Sequence, residues 1–282
     1  MTGLRRLFAN LLFVVPWSVT TAVMKEEQLA ATRIVFSDVD GTLVHYPRPL
    51  PDNDANIIAL PPSSTGMRAI ISPETLRLCR DIRQRGRKLV LVSGMRTTTL
   101  LNRLPYLPRA DAYCSEAGGR IFYPTTSTST TTTTSSAEEG PIAPLPYNGA
   151  TADDLEAFGL QEDLEWRQIM EQAAGPDGFM GQEIKVLLTQ AKAPPLVPAA
   201  ARRGPLWEFA QSLERRGLVL DTKGYATSFR VTTNQQSSSS PTAMETLRAL
   251  QEGQIPLPPE VTMRTNLGSM DFYPKISGKK NW

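Results

Sequence analysis

The 282-residue chain is 40% hydrophobic and 21% charged, with a net charge of +2 and a pI near 8.5. Its length and apolar content predict a sizeable core divided between two domains, and so mild a charge, with no basic patch interleaved with aromatics, gives no ground for a nucleic-acid partner. The lone histidine, His45, excludes a His-pair metal site, and Cys79 and Cys114 read as reduced thiols in or near the core rather than as a disulfide.

At the start of the chain Arg5 and Arg6 precede the apolar stretch Leu7 to Trp17 and the small residues Ser18 to Ala22, a pattern like that of a short secretory or organellar targeting segment. Pro16 interrupts the run, which is too short for a membrane span, and Met24 offers an alternative cytoplasmic start. Residues 1–30 are therefore set apart as a targeting or unordered segment, and localisation stays open between cytoplasmic and organellar or secretory. The folded pattern begins near Thr32. Ile34-Val35-Phe36 predicts a strand buried on both faces of a parallel sheet, and Gly41 lets the backbone turn just beyond it. Asp38 and Asp40 then stand at the carboxyl edge of the sheet, where open α/β folds receive their ligands.

Glu74 to Arg85 carries Leu76, Leu78, Cys79 and Ile82 at helical spacing. Lys88 to Val92 reads as a strand ending in Ser93-Gly94, which can offer a hydroxyl and backbone N–H groups to an anion where a helix starts near Thr97; Ser93 as a plain helix cap explains the same residues. Arg96 either touches that anion or caps a solvated face. Asp111 to Ser115 is a further strand, followed at Gly118-Gly119 by a hairpin turn. Thr125 to Ser136 is almost wholly threonine and serine, and residues 125–149 read as a disordered insertion. Beyond it, Leu155 to Gln172 predicts a helix with Trp166 and Ile169 inward, and Glu183 to Thr189 alternates as a strand. Helices follow at Leu206 to Arg216 and Thr242 to Gln251, with a hairpin of Leu218 to Thr222 and Ser228 to Thr233 between them. Val261 to Asn266 and Ser269 to Tyr273 form a last strand pair. The chain then runs through Pro274 to Gly278, Lys279 and Lys280.

Asp38-Val39-Asp40-Gly41-Thr42 resembles the first motif of the haloacid dehalogenase-like hydrolases, and Asp271 to Lys280 resembles the lysine-bearing segment of their sucrose-phosphatase-like, Cof-type sugar-phosphatase branch. The resemblance implies a fold of class α/β, with a doubly wound parallel-sheet, Rossmann-like core from residues 31–124 plus 270–282 and an inserted α+β cap from 150–269. It implies that Asp38 is the nucleophile and Asp40 the acid/base, that Ser93, Gly94 and Thr42 hold phosphate, and that Lys279 reaches both, though Lys280 leaves that register open by one residue. A carboxylate can attack phosphorus to form an aspartyl-phosphate, and a second carboxyl can serve the leaving alcohol and then water. Two neighbouring anions call for a hard divalent cation, and the resemblance names Mg²⁺, held by Asp38 and the backbone carbonyl of Asp40.

The family's final acidic motif is not found after Lys279, so a core incomplete at its C-terminal end, with impaired activity, is the expectation. The implied partner is a small phosphorylated sugar or polyol, with no nucleic acid and no stable membrane span; oligomeric state is not legible. Two alternatives stand beside the Mg²⁺-dependent phosphatase: a non-catalytic phosphosugar-binding or regulatory protein, and a phosphosugar mutase of the same superfamily.

Overall fold

A computed structural model describes residues 33–47, 57–63, 66–124, 160–184, 187, 197–232, 240–266 and 268–278. The expected targeting segment, the Thr/Ser-rich insertion and Lys279 lie outside the described residues. Strand β1 (Ile34–Asp38), the short β2 (Ile58–Leu60) and β3 (Ala69–Ile71), and β4 (Lys88–Val92) open the fold, followed by β5 (Ala112–Ser115), β6 (Arg120–Pro124) and β7 (Leu160–Glu162). A five-stranded sheet runs in the order β1-β4-β5-β6-β7. The pairs β1 with β4 and β4 with β5 are parallel, whereas β6 and β7 are antiparallel additions.

Helix α1 (Pro73–Gln84) carries the first crossover. Ser72 caps it by accepting the Thr75 N–H at 3.0 Å, and Pro73 sits in the first turn, where a missing N–H costs nothing. Helix α2 (Thr97–Arg103) carries the second. Alternation along the strands sends Val35, Leu89, Leu91, Tyr113 and Phe122 to one face, where they pack with Leu76 and Cys79 of α1 and Leu100 of α2. The opposite face, built from Val90, Val92, Ala112, Cys114 and Ile121, receives Trp166 of α3 (Leu164–Ala174). Both cysteines are buried and unbridged, and burial pushes the Cys114 thiol up to about 12, so neither has the character of a nucleophile.

A second, antiparallel sheet has the order β10-β11-β9-β8, from β8 (Leu220–Asp221), β9 (Phe229–Thr232), β10 (Val261–Asn266) and β11 (Ser269–Pro274). Helices α4 (Pro205–Arg215) and α5 (Pro241–Gln251) cover it, placing Leu206, Trp207, Leu213, Leu247 and Leu250 against Phe229, Val231 and Phe272.

Several expectations need correction. The first sheet is mixed rather than wholly parallel, because a tight connection returns β6 antiparallel beside β5. Among the described residues β1 pairs on one side alone, so Phe36 is 43% exposed instead of buried on both faces. Of the helix expected over Leu155 to Gln172, residues 155–159 lie outside the described residues, residues 160–162 extend the first sheet, and the described helix starts at Leu164, where Asp163 accepts the Trp166 N–H at 2.9 Å and Ile169 faces outward. Ile184 and Leu187 are helical, with the Leu187 N–H donating to the Glu183 carbonyl, where alternation had suggested a strand. The domain boundary drawn at 270 cuts the β10–β11 hairpin: Met270 to Pro274 belong to the second sheet, since both ladder partners, β10 and β9, lie there.

Phe229 is 1% exposed and stacks on Phe272 with ring centroids 4.7 Å apart. Phe229→Ala is expected to cost about 3–5 kcal/mol, read as a lowered urea midpoint with an unchanged slope.

Candidate active site

Parallel pairing aligns the ends of three strands. Asp38 lies in register with Val92, and the Val39 N–H, just past β1, donates to the Val92 carbonyl at 3.2 Å. The Ser93 N–H donates to the Cys114 carbonyl at 2.9 Å, and the Ala117 N–H returns to the Ser93 carbonyl at 2.9 Å. Asp38, Ser93 and Glu116 thus end neighbouring strands on one edge. Beyond Asp38 the chain folds back through Gly41, whose φ of +80° a side chain would resist, with the Gly41 N–H donating to the Val44 carbonyl at 2.8 Å.

Asp40 is engaged at both carboxylate oxygens. Its Oδ2 accepts the Ser93 hydroxyl at 2.7 Å, and its Oδ1 accepts the Tyr46 hydroxyl. The Arg103 guanidinium stands 3.8 Å from the same Oδ1. Ser93 is fully buried and its Oγ also accepts the Met95 N–H at 3.0 Å; α2 begins later, with Arg96 at its cap position. Ser93 therefore neither caps the helix nor points an open hydroxyl outward, but spends its hydrogen on Asp40. Thr42 is exposed on the turn. Gly94 is half-buried, with open space where a Cβ would stand, and lines a cleft together with Glu116, Tyr225, Ser228, Arg230 and Asp271. Asp38, Asp40 and Ser93 are brought to one edge with Gly94 beside them; Thr42 is exposed two residues beyond Asp40, and Lys279 lies outside the described residues.

The cleft's far wall comes from the second sheet, clamped to the strand ends by two charged side chains, Glu116 and Arg96. Glu116 is fully buried, and its Oε2 accepts the N–H groups of Ala226 and Thr227 at 2.8 Å each and the Thr227 hydroxyl at 3.0 Å, while Oε1 accepts Thr97 at 2.9 Å. Arg96 donates to the Lys223 carbonyl at 2.8 Å, pairs with Asp221 and lies 4.6 Å over the Tyr225 ring. It neither caps a solvated face nor stands open to a ligand.

Sequence reasoning passed over Tyr46, Arg103 and Glu116. A lone arginine among Leu100, Leu101 and Leu104, and a glutamate directly after a buried strand, were the available signals.

Burial, then the neighbouring Asp40 carboxylate, pushes the Tyr46 hydroxyl up to about 12 against the opposing pull of Arg103, and burial does the same to Tyr225. Among the described residues no group of three His, Cys, Asp or Glu side chains could hold a metal ion. Mg²⁺, however, keeps several of its own waters and is commonly bound through one or two carboxylates plus substrate phosphate, so Asp38 and the backbone carbonyl of Asp40 are the described oxygens that would hold it.

No family model and no curated protein matches the chain. Among solved structures it is similar to trehalose-6-phosphate phosphatase from Aspergillus fumigatus, at 13% identity and a TM-score of 0.33, covering 88% of this chain and 64% of that one. It is also similar to a phosphatase of the haloalkanoate (HAD) superfamily from Bacteroides thetaiotaomicron, at 12% identity and a TM-score of 0.33, covering 92% and 73%. The chain thus spans less than two thirds of the first of these, and the functional reading rests on its own residues.

Two outcomes are expected. Glu116→Ala strands two buried N–H groups and should cost about 3 kcal/mol or more, seen in a chemical unfolding curve. Because folding holds the Tyr46 and Tyr225 phenols neutral while the unfolded chain ionises near 10, the stability they contribute is present below about pH 10 and is lost as pH rises to about 12. Unfolding midpoints measured across that window, beside phenolate absorbance, check it.

Proposed function

We propose that the chain is a phosphoric monoester hydrolase of the haloacid dehalogenase type acting on a small phosphorylated sugar or polyol. The observation that supports it is the placement of Asp38 and Asp40 at the carboxyl edge beside Ser93, with the Ser93 hydroxyl on Asp40. In this reading an Asp38 oxygen attacks phosphorus and the bond to the leaving oxygen breaks. Asp40 gives that oxygen a proton, then takes one from the water that attacks the aspartyl-phosphate, releasing phosphate and restoring Asp38. The second sheet, closing over the edge, excludes water and carries the contacts that select the alcohol.

Mg²⁺ is implied by the resemblance alone, with Asp38 and the Asp40 carbonyl as ligands, and the missing third acidic group among the described residues favours slow turnover. The same observation supports a second reading, a phosphosugar-binding protein without turnover.

Phosphate release from a panel of sugar and polyol monophosphates, with and without Mg²⁺, decides between them. Slow, Mg²⁺-dependent release is expected, lowered about 10²–10⁴-fold by Asp40→Asn and abolished by Asp38→Asn. Release equal in wild type and Asp38→Asn rejects the hydrolase, and calorimetric binding of a sugar phosphate without release establishes the binding protein. Turnover that requires a bisphosphate activator would mark a mutase.

A further inference from the structure

We propose that Tyr46 and Arg103 are positioning residues that hold the Asp40 carboxylate in one rotational setting; the inference rests on the acid/base role given to Asp40 above. Arg103 is 1% exposed, an unusual position for a guanidinium. Its Nε donates to the Pro61 carbonyl at 3.2 Å and one terminal nitrogen to the Met67 carbonyl at 3.3 Å, which fix the plane of the group against the β2–β3 hairpin. The other terminal nitrogen donates to the Tyr46 hydroxyl at 2.7 Å and lies 3.8 Å from Asp40 Oδ1.

Proton direction follows from donor counting. An arginine nitrogen can only donate, so the Tyr46 oxygen must accept from it, and the single phenolic hydrogen is left for Asp40 Oδ1. The same logic holds on the other side. Ser93 Oγ accepts the Met95 N–H, so its hydrogen goes to Asp40 Oδ2. Each carboxylate oxygen is therefore pinned by one hydroxyl whose own direction is dictated by a fixed donor behind it. A carboxylate oxygen accepts at two sites, so each keeps one for a substrate oxygen or water. The arrangement holds the carboxylate where a proton must travel, with no contact of its own to the substrate, and so it should act on turnover rather than on binding.

Tyr46→Phe keeps the ring beside Arg103 and removes only the hydroxyl. Steady-state kinetics on the sugar phosphate that the wild type hydrolyses fastest are expected to show kcat about 10- to 100-fold lower with KM within about twofold. An unchanged kcat, or a rise in KM with kcat preserved, overturns the proposal. Should the wild type show no Asp38-dependent turnover, it is the hydrolase reading that fails. The positioning contact is then decided by a double-mutant cycle of Tyr46→Phe and Asp40→Asn on the unfolding midpoint. Shifts that fail to add support the contact, and additive shifts overturn it.

Discussion

The register of β1 against β4 is the constraint on which the candidate site depends. Asp38 opposite Val92 places the last residue of one strand beside the last of the next, and the Val39 bond to Val92 carries the alignment one residue past the strand. Strand side chains alternate with a period of two, so a slip by one residue would turn Val35 away from Leu89 and Leu91 and carry the acid pair to the wrong face. The apolar packing that forbids the slip is thus also what delivers Asp40 to Ser93.

The second sheet is held to this edge by polar contacts and through α3, whose Trp166 packs on the first sheet and on Met170, Phe179 and Ala226 while its Ala174 joins the core of the second. Glu116 and Ala117 adopt φ values of +52° and +58°, a conformation that disfavours side chains. That local cost is offset by the hydrogen bonds the Glu116 carboxylate accepts from Thr97, Ala226 and Thr227, two of them from backbone N–H groups that burial would otherwise strand. Gly119 lets the chains meet so closely that a Cβ there would lie 1.9 Å from the Thr227 hydroxyl oxygen. Contacts of this kind demand accurate docking and give it up sharply when a partner is lost.

Buried arginines recur for a related reason. Arg103 lies 5.5 Å from the Tyr46 ring centroid, Arg120 forms a two-pronged pair with Glu162 at 2.7 and 2.9 Å, and Arg202 stands 4.2 Å over Trp207. A guanidinium tolerates such places because its plane lies against an aromatic face while its edge reaches carbonyl and carboxylate oxygens. Each ties elements distant in sequence to one another: Arg103 the β2–β3 hairpin to Asp40, Arg120 the strand β6 to β7 and the Gln182 carbonyl.

Read by itself, the sequence determined the α/β alternation, the helices near residues 73–84, 205–215 and 241–251, the two hairpins of the second sheet, and the placing of Asp38, Asp40 and Ser93 at strand ends. These follow from periodicity, caps and turns, all of which act over a few residues. What it could not supply were the outcomes of long-range pairing. The open side of β1, which leaves Phe36 exposed, and the assignment of β11 to the second sheet depend on which strands meet, and no local pattern carries that choice. The partners of Asp40 were hidden for the same reason: Tyr46 lies six residues away around a turn, Ser93 and Arg103 lie 53 and 63 residues away, and only the folded packing of β1, β4 and α2 closes those distances.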